Sequence, residues 1–363
     1  MKILLIDNSS LTPKDNKFFC ELRTGQFAKD LVDLGNDVTM YGQSVEKINT
    51  VHAFDILGNG IEVCKLDRKN NKIVNYIFLY IRIIPLIIKT DFVYIFYPSA
   101  FKYVAFMCFL LRKPYGLYIR GQNDLTSKTS KFFIQKASLI FTVTNFFTDF
   151  VKKLNLNSHT IRPMISLNEK DLIINRDYET KNQYKVLFLA RMAKDKGVDE
   201  LLNAAKILEK KGYNFIIELV GDGEYLPEVV KTVERLGIGD IVNIRGAVLE
   251  PNLVKKLYLE SDIYVLPTYH EGFPRTLYEA MIFGTPIMTT FVGGISGIMK
   301  NEYNCLEIKS KSVESIVNRL IYAFENYSEM ESLSKNALST VKPIIDSSRL
   351  SHAQHLNMLL NGN

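Results

Sequence analysis

Cysteine is scarce: the four thiols, at positions 20, 64, 108 and 305 of 363, show no CxxC or Cys/His spacing. That argues against a disulfide framework or a thiolate metal site, and a reducing compartment is the expectation. Long apolar runs are missing too. The most hydrophobic stretch, "YIFLYIRIIPLIIKTDFVYIFYP", is broken by Arg82, Pro85, Lys89 and Asp91, which leaves nothing near the ~20 residues that span a bilayer. The opening "MKILLIDNSS" has too short an apolar part for a secretory signal and reads as a first buried strand. No complete GxGxxG or Walker loop is present, and no DxD-type pair stands at a strand end. Neither charge sign dominates strongly. The net +6 fits attraction to phosphates or an anionic membrane surface, yet ordinary cytosolic chains share it, and no nucleic-acid partner is expected.

What is present is a globular composition, 47% hydrophobic and 23% charged, on a chain long enough for two cores. Short β-branched or aromatic runs alternate with helical patterns. "KILLID", "DVTMYG", "FVYIFY", "YGLYI", "LIFTV" and "HTIRP" predict a first series of strands, with helices near 23–34, 72–88, 100–111, 128–136 and 145–153. A second series starts at "YKVLFLA" and continues through "FIIELVGDG", "IVNIRG", "DIYVLP" and "PIMTT", with helices near 197–210, 224–235, 250–259 and 274–283. Continuous apolar strands separated by helices imply parallel sheets covered on both faces. The organisation expected is an N-terminal Rossmann-like domain (1–165), a polar linker (166–183), a C-terminal Rossmann-like domain (184–345), and a last helix (346–363) that could return to the first domain.

Three features follow strand ends, where doubly wound sheets bind ligands. After "VLFLA" come Arg191, then Lys196 and Gly197 before a helix. The guanidinium fork, the mobile ammonium and the helix amides would suit an anion, although read singly both are surface cations. In "LVGDGEYL", Gly221 and Gly223 permit a tight turn that alone says little. In "DIYVLPTYHEGFPRTLYEAM" the chain turns at Gly272 and Phe273, and Pro274 suits the first helical position. The amides of Arg275, Thr276 and Leu277 would then be free donors for a diphosphate. Glu271 at the helix mouth and Glu279 on the helix could each accept paired sugar hydroxyls, or be an ordinary helix-start anion and a solvated residue.

Together, "VLFLARMAKDKGVDELLNAA", "ELVGDGEYL", "VNIRGAV" and "DIYVLPTYHEGFPRTLYEAMIFGTPIMTTFVGG" closely resemble the donor-binding domain of retaining glycosyltransferases of family 4. The resemblance implies the GT-B fold, an α/β architecture of two tandem doubly wound (Rossmann-like) domains facing across a cleft. It implies that Arg191 and Lys196 bind the donor diphosphate and that Glu271 lies by the transferred sugar. Gly272, Phe273, Arg275, Thr276 and Leu277 follow as donor contacts, with Glu279 on the ribose, Gly221 near the donor and Val248 near the base. It implies no cofactor and no metal: the substrate is a UDP- or GDP-linked sugar, and the cations and helix dipole stabilise the leaving diphosphate.

The N-terminal half matches more loosely. The stretch "LTPKDNKFFCELRTG" stands where many members carry a Gly-Gly loop, and Arg120 stands where many carry a His that contacts the sugar. Arg120 could hold an acceptor phosphate or the sugar, or simply end a strand. Gly297 replaces a common Glu, and His270 reads as a bystander. The expected function is transfer of a sugar to a glycan or lipid-linked acceptor in capsule, O-antigen or exopolysaccharide assembly. The expected place is the cytoplasm, with peripheral contact to an anionic inner membrane face through helices 72–88 and 100–111 open beside their reading as core. An epimerase on the same fold and a non-catalytic nucleotide-sugar-binding homologue are the rival readings.

Overall fold

A computed structural model describes every residue except 8–10, 45–51, 68–71, 98–100, 122–124 and 363. The chain divides into two units, Met1–Met164 with Arg349–Asn363, and Ile165–Ser348.

The first unit runs β1 (Lys2–Ile6), β2 (Thr12–Lys14), β3 (Lys17–Glu21), α1 (Leu22–Asp33), β4 (Asp37–Ser44), β5 (His52–Asp55), β6 (Glu62–Asp67), α2 (Lys72–Lys89), β7 (Phe92–Tyr97), α3 (Val104–Leu110), β8 (Tyr115–Ile119), α4 (Lys128–Lys136), β9 (Leu139–Thr142), α5 (Asn145–Lys152) and β10 (Ser158–Thr160). Its main sheet has the order β10-β9-β8-β7-β1-β4-β6, and every pairing is parallel. The central strands "KILLI" and "FVYIFY" are apolar on both faces because helices cover both, so they show no alternation of polar and apolar residues. Winding reverses between β1 and β7, a topological switch point.

The stretch "LTPKDNKFFCELRTG" is not a simple loop. It folds into the β2–β3 hairpin, with Asp15 and Asn16 at φ 49° and 59° in its turn, and joins β5 in a small antiparallel sheet. Asp and Asn tolerate the left-handed region, which lets a two-residue turn form without glycine. The Glu21 carboxylate then caps α1, accepting from the amides of Arg23 and Thr24.

The second unit runs β11 (Tyr184–Leu189), α6 (Val198–Lys210), β12 (Phe215–Val220), α7 (Leu226–Leu236), β13 (Val242–Gly246), α8 (Pro251–Glu260), β14 (Ile263–Leu266), α9 (Arg275–Ile282), β15 (Ile287–Thr289), β16 (Leu306–Glu307), α10 (Val313–Glu325) and α11 (Met330–Ile345). Strand order is β13-β12-β11-β14-β15-β16, again all parallel, with the switch point between β11 and β14. The polar segment 166–183 is fastened to this unit. The Arg176 guanidinium donates to the carbonyl of Tyr258 at 3.0 Å, and the Tyr178 hydroxyl donates to that of Gly284 at 2.8 Å. Helix α10 packs on α6 and α11 on α9, and the Phe324 ring of α10 stacks on Tyr184 at 4.7 Å.

After the second unit the chain returns to the first as α12 (His352–Asn361), packed on α1. His352 is buried there: its Nε2 lies 2.6 Å from the Tyr94 hydroxyl and its ring 4.4 Å from that of Phe27. Ser351 and Gln354 form a capping box that starts the helix.

Candidate functional site

The strand order of the second unit sets where side chains can converge. Strands β11 and β14 are neighbours at the switch point, so residues 190–197 and 267–274, which follow them, come side by side although 75 positions separate Lys196 from Glu271. Backbone hydrogen bonds lock the two loops together. The amide of Tyr269 donates to the carbonyl of Asp195 at 2.8 Å, and the Thr268 hydroxyl reaches the same carbonyl at 3.2 Å. Gly197 makes the approach possible: it sits at φ +72°, and a Cβ there would lie 2.1 Å from the carbonyl oxygen of Pro267.

Lys196 and Glu271 meet across this junction as an ion pair between Nζ and Oε1, with side chains only 12% and 17% exposed. The Thr268 hydroxyl stands 3.4 Å from the same carboxylate oxygen. A carboxylate held this way keeps one direction. Arg191, at the mouth of the first loop, is exposed and forms no ion pair among the described residues.

Behind this pair the second loop is braced twice. The Thr290 hydroxyl donates to the carbonyl of Thr268 at 2.6 Å. Gly293, at φ +57°, passes so close to Glu271 that a Cβ would lie 1.9 Å from its carbonyl oxygen. The sequence motif contained both residues, but nothing in their spacing announced that they support Glu271.

Helix α9 begins one residue later than its sequence suggests: Pro274 is the N-cap, in extended conformation, and no side chain caps the helix. The amide of Leu277 already donates to the carbonyl of Pro274 at 3.1 Å, so it is not the open donor the sequence led us to expect. Arg275 and Thr276 occupy the first two helical positions, at the positive end of the helix dipole. Phe273 is buried with its ring 4.4 Å from that of Tyr278, so it anchors the turn, while Gly272 is half-buried beside it.

Glu279 lies one turn along. The buried Tyr258 hydroxyl is 3.1 Å from its Oε2 and 3.0 Å from the carbonyl of Thr276. Burial, then the neighbouring carboxylate of Glu279, pushes the Tyr258 hydroxyl well above its ordinary titration range, so it stays a donor at any working pH. Tyr264 acts similarly, reaching the Thr276 hydroxyl at 2.7 Å. The two tyrosines come from α8 and β14, and reading α9 alone could not have found them.

Gly221, at the end of β12, donates to the carbonyl of Gly246 at 2.8 Å. Beside it the amide of Met192 donates to the carbonyl of Asp222 at 3.0 Å, which ties the Arg191 loop to the Gly221 turn. Val248 follows β13 and is partly buried against the core. His270 is exposed. Arg120 belongs to the first unit, at the end of β8, where it lies 3.9 Å from the buried carboxylate of Asp7 and 5.0 Å from the centre of the Phe96 ring.

Residues 170–340 match the family "Glycosyl transferases group 1". The chain is 29% identical over 187 residues to a Campylobacter jejuni protein, N,N'-diacetylbacillosaminyl-diphospho-undecaprenol alpha-1,3-N-acetylgalactosaminyltransferase, a match covering 52% of this chain and 48% of the relative. It is 27% identical over 238 residues to a putative teichuronic acid biosynthesis glycosyltransferase of Bacillus subtilis, covering 63% and 57%. The chain thus spans about half the length of the curated relatives it matches. Among solved structures, Anabaena HepE in complex with UDP superposes with a TM-score of 0.70 at 18% identity, over 100% of this chain and 99% of that one. The fold is GT-B, two Rossmann-like α/β domains in tandem.

Proposed function

We propose that this chain is a retaining glycosyltransferase of family 4. It would move a hexosyl or N-acetylhexosaminyl group from a UDP- or GDP-sugar to a glycan or lipid-linked acceptor in bacterial surface-polysaccharide assembly, capsule or lipopolysaccharide among them, on the cytoplasmic side. The observation that carries the proposal is the Lys196–Glu271 pair at the switch point, next to a helix N-terminus that no side chain caps. Its sequence lies within the segment that matches the glycosyl transferases group 1 family. The acceptor class is suggested by relatives named for lipid-linked and teichuronic acid glycans, and UDP by the nucleotide bound to Anabaena HepE.

In this reading Arg191, Lys196 and the amides of Arg275 and Thr276 hold the donor diphosphate, without a metal. Glu271 faces the transferred sugar and the positive charge that develops on it, Glu279 takes the ribose hydroxyls, and Val248 borders the base. The bond between the sugar's anomeric carbon and the diphosphate breaks while the acceptor oxygen bonds to that carbon on the same face. The acceptor's proton passes to the departing diphosphate oxygen. Arg120, in the first unit, contacts the acceptor.

The test is incubation with a panel of nucleotide sugars, the anomeric configuration of the product being followed by NMR. Retention of configuration, with Glu271→Gln inactive, is expected. Inversion, isomerisation of the donor, or full activity of Glu271→Gln would overturn the assignment. A thermal-shift comparison of UDP with GDP identifies the base, because bound ligand raises apparent stability.

A further inference from the structure

The first unit carries a second feature that sugar transfer does not use. From Lys72 to Thr90, from Phe101 to Gly121 and from Leu125 to Thr148 the sequence contains no Asp or Glu, so α2 and α4 carry charge of one sign only, and α3, itself uncharged, is flanked by Lys102, Arg112 and Lys113. These helices are neighbours. The Tyr80 ring of α2 lies 6.4 Å from Tyr103 just before α3, and the Phe109 ring of α3 lies 5.2 Å from Phe132 of α4.

Their inner faces are core, with Leu79, Ile83, Ile87, Val104, Cys108 and Phe133 buried. Their outer faces are not polar, as a solvated helix layer would be. Ile77, Ile81 and Ile88 form one exposed stripe on α2, and Phe106, Phe109 and Leu110 stand out on α3, with Ile81 60% and Leu110 62% exposed. Cations edge this surface: Arg82, Lys89 and Arg112 are exposed, and Lys136 holds its ammonium 5.9 Å from the centre of the Phe109 ring.

We propose that the α2–α3–α4 face is a docking surface for an anionic lipid bilayer. Ile81, Phe106 and Leu110 enter the boundary between headgroups and acyl chains, while Arg82, Arg112 and Lys136 sit at the lipid phosphates. Charge complementarity selects this occupant. A second copy would bring cations against cations, with no carboxylate on either face to offset them. A bilayer supplies apolar volume and negative charge together, over an area that needs no shape match. No helix among the described residues is long and apolar enough to cross a membrane, so the contact is peripheral. The proposal stands on the first unit alone and does not depend on the transfer reading.

The test is co-sedimentation of the full chain, without nucleotide sugar, with vesicles of phosphatidylcholine and with vesicles containing about a third phosphatidylglycerol. Partition into the anionic vesicles should be about tenfold or more stronger and should fall at high salt. Two variants, Phe106→Ser with Leu110→Ser, and Arg82→Gln with Arg112→Gln and Lys136→Gln, should each lower it about tenfold with the melting temperature kept. Equal binding to both vesicle types, or variants that bind like the parent, would overturn the proposal. Absence of vesicle binding would assign the face to a protein partner instead. A dimer of the parent chain in sedimentation velocity that the variants dissolve would make it an interface between copies.

Discussion

Replacing Gly293 with alanine is the sharpest probe of how the site is built. Two costs follow from the geometry. First, φ of +57° places a non-glycine residue in the left-handed region, at about 1–2 kcal/mol. Second, the new Cβ would stand 1.9 Å from the carbonyl oxygen of Glu271, where contacts under 3.0 Å are essentially never tolerated. Backbone cannot swing aside as a side chain does, so the segment bearing Glu271 would have to move by about 1 Å, a misplacement that can lower a rate about 10²-fold. Gly212 supplies the control: it sits at φ +84° with nothing within 4 Å of a Cβ, so Gly212→Ala carries the conformational cost alone. In a unit of this size 1 kcal/mol shifts the melting temperature by about 2–4 °C. Both variants should therefore melt a few degrees lower, Gly293→Ala further than Gly212→Ala, and only Gly293→Ala should lose donor turnover. The assay is release of nucleoside diphosphate, paired with calorimetry on the same samples. If the two variants match in melting temperature and turnover, Gly293 does not position Glu271 and the reasoning fails.

Lys196→Ala should lower turnover about 10²–10³-fold, the range for losing a donor aimed at developing charge, and Lys196→Arg should restore part of it; an unchanged rate would remove Lys196 from the proposed diphosphate site. Tyr258→Phe takes away the hydroxyl that reaches Glu279 and the carbonyl of Thr276, so it should cost about 1–3 kcal/mol of stability and raise the donor KM more than it lowers kcat. A pure kcat defect would contradict that role. Burial, then the nearby His355, lowers the His352 pKa from 6.5 to about 3, so the ring stays neutral in the fold while it protonates in the unfolded chain. Its contribution is full above pH 6.5 and is lost as pH falls toward 3, about 2 kcal/mol being gone by pH 5. Urea titrations from pH 7 to 5 should show this loss, and His352→Gln should flatten it; the same pH dependence in both proteins would disprove the assignment.

The candidate site is written largely in contiguous motifs, so its residues stand out in the sequence. "HEGFPRTLYEAM" holds a strand end, a turn and a helix start in one run, and Lys196 precedes a glycine that opens the next helix. What supports those residues was hidden. Gly293, Thr290, Tyr258 and Tyr264 come from other elements, and their roles depend on close approach, which no spacing rule reports. The β2–β3 hairpin escaped notice because its strands are short and its turn uses Asp15 and Asn16 instead of glycine. Helix α10 did carry a signal, a Ser312 cap followed by buried Ile316, Val317, Leu320, Ala323 and Phe324 at helical spacing, and it could have been found.

By itself the sequence determined the class of fold. Apolar strands without alternation can be stable only between two helical layers, and the repeated strand–helix order makes the sheets parallel. It also determined which side chains stand at strand ends. Only the tertiary structure decided which ends meet. Strand order is not encoded in local pattern, since it depends on which edges bury the most surface, and it is this order that sets β11 beside β14 and closes Lys196 on Glu271. The same holds for α2 and α3. Their apolar residues could all have been core, but a helix packed on a sheet buries only one face, and the structure left the other, acid-free face uncovered.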